Sequence, residues 1–182
     1  MYDLDHDYLY VWKITPVSVP AGQQITGASL TFSNIQDWNW QENDSLYLRL
    51  LSVGNINSAV ANHVVTGWTT DIYGGYDGEA SGDGLSGYGT QLTIYHDTTA
   101  DPENYTYTFT TDQKNLLAGL VAGDHAFGIG FDPDCHYDNC GIQMKIDTAS
   151  MPSVPVPGAF LLVGMGTAVV GWVRRSRLQS AK

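Results

Sequence analysis

The chain has 182 residues with 19 acidic and 8 basic side chains, a formal charge of −11. Hydrophobic residues at 43% and aromatics at 12% supply a core, which excludes wholesale disorder. All 19 carboxylates lie in the first 150 residues beside only Lys13, Arg49, Lys114 and Lys145, a surface that repels phosphate backbones and excludes nucleic acid as a partner.

In chain order, short alternating or apolar runs predict strands over Tyr8–Ile14, Ile25–Ile35, Ser45–Val53, Gln91–His96, Asn104–Thr110, Ala126–Phe131 and Gly141–Ile146. Tyr105, Tyr107 and Phe109 alternate with Thr106, Thr108 and Thr110, the pattern of a strand with one buried face. One helix is expected, capped by Thr111 or Asp112, running through Leu116, Leu117 and Leu120 and stopping at Gly123. Seven strands and one short helix imply a mostly β fold, an antiparallel, jelly-roll-like β-sandwich over residues 1–148. Tyr73–Gly89 holds seven glycines in seventeen residues with Asp77, Glu79 and Asp83, and is read as a long surface loop, either binding or decorative.

After Asp147 the composition changes. Residues 149–157 form a Pro/Ser linker, and 158–173 carry no ionisable side chain, as a transmembrane helix requires. Trp172 near its end is an interfacial anchor, and Arg174, Arg175 and Arg177 follow in a basic cytoplasmic tail over 174–182. Val154, Pro155, Val156, Pro157, Gly158 and Ala159, then the apolar run, then Arg174 and Arg175, resemble a PEP-CTERM sorting signal of the VPLPA-like kind, with Val156 where the commonest form has Glu. The resemblance implies processing by an exosortase, an integral membrane protease, in a Gram-negative bacterium that makes exopolysaccharide. It also implies export across the inner membrane, a membrane-anchored stage, and a final place at the cell surface or in the extracellular matrix. A sorted protein needs a secretory leader, whereas the chain opens with the acidic run Asp3, Asp5, Asp7; an upstream segment is therefore expected, with Met1 not the natural start.

The densest set of polar ligands is the turn from Phe131 to Gly141. Asp132, Asp134, Asp138 and Asn139 offer oxygens of the kind calcium takes, or else form a solvated acidic hairpin. This DPDCHY stretch resembles a segment of secreted β-sandwich proteins that carry the same tail. Cys135 and Cys140, the two cysteines, are expected to form a disulfide outside the inner membrane, with zinc at Cys135, His136 and Cys140 as the alternative. Asp3, Asp5 and Asp7 with His6 are either a frayed terminus or a cation-binding face. Trp38, Trp40, Trp68, Tyr73 and Tyr76 either stack on sugar rings or close the ends of the core. Sequence motifs of hydrolases and nucleotide binders are absent, so the chain reads as no enzyme but as a structural or adhesive surface protein. A calcium-dependent carbohydrate-binding module, with extracellular polysaccharide as partner, is the second reading. The third is a self-associating fibre subunit that pairs through Tyr8–Ile14 as an exposed edge.

Overall fold

The computed structural model describes residues 3–38, 44–62, 65–67, 72–76, 82–99 and 101–152. The chain divides after Ser150. Among the described residues the protein is mostly β, with two helices, and every strand pairing is antiparallel.

The first sheet is built on one long strand, β3 (Gln23–Asp37). On one edge of β3 lie β10 (Tyr137–Asp138) and β11 (Ile142–Ser150), successive pieces in one register; β8 (Glu103–Thr108) takes the other edge, and β1 (Asp3–Leu4) pairs with β10. The second sheet runs β5 (Val65–Gly67), β6 (Ile72–Tyr76), β2 (Tyr8–Ile14), β9 (Phe127–Pro133), β4 (Leu46–Leu51), β7 (Thr90–Tyr95). Leu30 and Phe32 from the first sheet and Leu48, Leu50, Phe127, Ile129 and Phe131 from the second share one core, consistent with a sandwich; the Phe32 and Phe131 rings meet edge to face at 6.0 Å.

The outer face of the second sheet is buried too. In β9, Phe127, Ile129 and Phe131 point to the core, while Gly128 and Gly130 leave room on the other side. A Cβ on Gly128 would stand 2.8 Å from Ile56 of α1 (Val53–Asn62), and one on Gly130 would stand 2.6 Å from Leu85. Ile56 packs with Val11 and Leu51, and Leu85 packs with Leu9 and Ala59. Strand β2 is thus apolar on both faces because both faces are covered.

Three expectations are corrected. β2 lies between β6 and β9, so it is no edge, and the proposed fibre contact through it falls. Tyr73–Gly89 is no simple loop: β6 enters it, Leu85 is fully buried, and Asp83 is pinned to Arg49. Its glycines permit close approach rather than freedom: Gly89, at φ +66°, lies where a Cβ would be 2.2 Å from the Leu50 carbonyl oxygen. Among the described residues up to Ser150 two helices are present where one was expected. The expected helix is α2 (Thr111–Asp124), but its cap is Thr110, in a reciprocal capping box with Gln113, and it runs through Gly123 to a left-handed His125.

Among the described residues, no helix is long and apolar enough to cross a membrane; the predicted span, sorting motif and basic tail lie outside them.

Candidate metal centre

The end of the first sheet where β3 stops is shaped by one residue. Ala28, Leu30 and Phe32 point into the core, and so do Ile35 and Asp37; the inward set shifts phase between 32 and 35. Asn34, at φ 48°, absorbs the extra residue, and the pairing with β8 jumps there. Its backbone N–H donates to Asn104 at 3.0 Å. The bulge turns Asp37 inward, 1% exposed, and sends Trp38 out, 71% exposed.

Opposite Asp37 in the ladder stands Tyr137, so both side chains lie on the buried face. Around them gather residues from three further stretches. The Cys135 thiol donates to Asp37 Oδ1 at 3.2 Å. The Asp37 N–H donates to Asp97 Oδ2 at 2.9 Å, and Asp97 Oδ1 accepts from the Thr99 N–H. Asp134 is tied to Ser45 in both directions, its carboxylate accepting from the Ser45 N–H and its own N–H donating to the Ser45 carbonyl. One ligand atom from each of Asp37, Asp44 and Cys135 lies within 4.8 Å of the others.

The electrostatics follow from burial. Desolvation, then Asp37, pushes the Asp44 carboxyl above its ordinary range. Desolvation likewise raises Asp134, against the hydrogen bonds from Ser45. The Cys135 thiol is driven well up by burial and by Asp37 and Asp44, so without a cation it stays protonated. The Tyr137 phenol is raised as well, by burial and then by Asp134, Asp37 and Asp44. Among the described residues, Asp44 Oδ2 and the Tyr137 hydroxyl are buried without a hydrogen-bond partner.

The four oxygen residues of the calcium expectation are not brought together. Asp132, 2% exposed, takes the Gly84 N–H; Asp134 turns to Ser45; Asp138 lies on the opposite face of β10 from Tyr137, near His136; and Asn139 Oδ1 accepts from the Gly141 N–H. The reason is the alternation of β10 and the turn bonds on either side of it. Both cysteines are free: Cys135 points to Asp37, while Cys140 is exposed on a cleft of about 450 Å³ lined by Asn34, Gln36, Pro102 and Asp138. His136 does not join the thiols; its Nε2 is 2.8 Å from Asp3. The acidic start of the chain is accordingly bound into the fold, Asp3 by β1 and His136, and Asp5 by a turn to the Asp7 N–H.

Of the aromatic candidates, Trp38 is exposed, its ring 5.8 Å from that of His136. Tyr73 is half-buried against Val11, Leu51 and Ile56. Trp40, Trp68 and the Tyr76 side chain lie outside the described residues. A second cleft of about 390 Å³, between α2 and the start of β3, presents amides and small apolar groups with His125 as its titratable residue. Comparison of the chain with known protein families, curated proteins and solved structures finds no match, so the site rests on its own geometry.

Proposed function

We propose that this is an exported bacterial surface or extracellular-matrix protein with a structural or adhesive role and no catalytic activity, sorted by its C-terminal signal. In this reading residues 1–148 are a jelly-roll-like sandwich, 149–157 the linker and sorting motif, 158–173 the span and 174–182 the cytoplasmic tail. The observation that carries it is the order Val154–Ala159, apolar run, Arg174–Arg175 directly behind an acidic β-rich domain. The test is expression behind a secretory leader in an exopolysaccharide-producing host, with and without its exosortase. A shortened form at the surface or in the matrix is expected only with the protease; the same size and place in both strains would reject the assignment.

One observation favours a second reading, carbohydrate binding, without the calcium set expected from the sequence. Trp38 is 71% exposed beside His136 and a carboxylate rim of Asp3 and Asp138, and an indole face flanked by hydrogen-bonding groups suits a sugar ring. Glycan-array binding that is lost in Trp38→Ala supports it. An array without signal returns the protein to the structural reading.

A further inference from the structure

We propose that Asp37, Asp44 and Cys135 hold one divalent cation of the zinc class, beside the buried Tyr137 that stands opposite Asp37 in the ladder. The proposal is independent of the sorting and glycan readings.

Three observations converge. The first is the donor set. Two carboxylates and a thiol present their ligand atoms within 4.8 Å of one another, with Cys135 Sγ and Asp37 Oδ1 at 3.2 Å. Around a tetrahedral zinc, with bonds near 2.0–2.3 Å, ligand atoms stand about 3.4–3.8 Å apart, so side-chain adjustment suffices. The second is Tyr137. Its side chain is fully buried, its hydroxyl has no hydrogen-bond partner among the described residues, and Asp134, Asp37, Asp44 and Cys135 surround it electrostatically. An unmade bond of this kind costs about 1–3 kcal/mol. The third is the architecture. The bulge at Asn34 spends a left-handed residue to turn Asp37 inward, and bulges of this sort commonly re-aim a side chain next to a site. A cation here offsets the mutual repulsion of Asp37, Asp44 and Asp134.

The sulfur decides the class of metal. Calcium takes six to eight oxygens and no thiolate, whereas zinc and its neighbours accept mixed oxygen and sulfur sets. On binding, the Sγ–H bond is replaced by a metal–sulfur bond and the proton leaves to solvent, so uptake releases one proton from Cys135. A disulfide with Cys140 and the metal compete for the same sulfur; the free, inward-turned Cys135 is the metal-competent state.

The test uses the full chain in detergent under reducing conditions, titrated with zinc, with cobalt as spectroscopic stand-in, and with calcium. One zinc per chain is expected, and one cobalt with a thiolate-to-cobalt charge-transfer band. The band should vanish in Cys135→Ser and persist in Cys140→Ser, which also removes the competing bridge. Asp44→Asn, a change on a partly exposed segment that leaves the core intact, should weaken zinc binding by more than the ~10–100-fold typical of losing a supporting contact. Absence of the thiolate band, its survival in Cys135→Ser, or thermal stabilisation by calcium without any by zinc would each overturn the proposal.

Discussion

Two acidic regions of this protein solve the same problem in opposite ways. In the segment around Asp83, the carboxylate is neutralised from within: Arg49 reaches it through Nε at 2.8 and 3.1 Å, both side chains nine-tenths or so buried, and Gly84 is tied to Asp132. At the end of β3, Asp37, Asp44 and Asp134 crowd one another, while Lys145 is engaged by Asp147 and Lys114 by the Thr26 carbonyl. The first region is complete as the chain folds. Among the described residues the second is offset by the His96 imidazole beside Asp134, and in the site proposed above a cation from solution supplies the rest.

That contrast can be broken at its stronger side first. Arg49→Met leaves Asp83 buried without its cation and should cost about 3–5 kcal/mol, seen as a large drop in the denaturation midpoint. At the other region, zinc at a hundred times its dissociation constant should stabilise the wild type by about 2.7 kcal/mol, and a chelator should reverse the gain; Arg49→Met should keep this response. Asn34→Ile puts a β-branched residue at φ 48° and should cost about 1–3 kcal/mol while also blunting the zinc response, since Asp37 depends on the bulge. Asp44→Asn removes one like charge and should raise the stability of the metal-free protein, on the order of 1 kcal/mol, as it abolishes the gain from zinc.

The smallest and most gradual effect is at high pH. Burial raises Tyr10 and Tyr95, Tyr95 also through its bond to Glu103, and burial raises Tyr105. Folding therefore favours the neutral phenol. The stability this contributes is complete below the unfolded value of 10.0 and is lost as pH rises through the higher folded values. Denaturant midpoints should hold steady up to about pH 10 and fall beyond it; a fall beginning near neutrality would contradict the assignment to tyrosine.

Much of the β framework was legible in the alternation of residues. Tyr8–Ile14 is found with the expected bounds, and Leu46, Leu48 and Leu50 face the core as their spacing requires. What failed has a common cause in contacts between distant segments. β6 contains Gly74 and Gly75, poor strand formers that are held by pairing with β2 and β5. α1, with Gly54 and Asn55 near its start, earns its place by laying Ile56 over Gly128. The candidate site draws on residues 37, 44 and 135, and sequence proximity pointed instead to neighbours within one turn. A signal for it did exist: Asn34 interrupts the alternation of β3, and an asparagine that tolerates the left-handed region is where such a phase change is least costly.

The long strand β3 has a consequence for when the protein can fold. Its partners are β8 on one side and β10 and β11 on the other, so that Gln23 and Thr148, 125 residues apart, end up hydrogen-bonded. The first sheet cannot close until β11 has been synthesised, and pairing so remote in sequence is slow. A chain with this topology remains open while it is being made. For the export route proposed above, that delay is an advantage: the polypeptide can be threaded through a narrow channel before its two ends find each other on the far side.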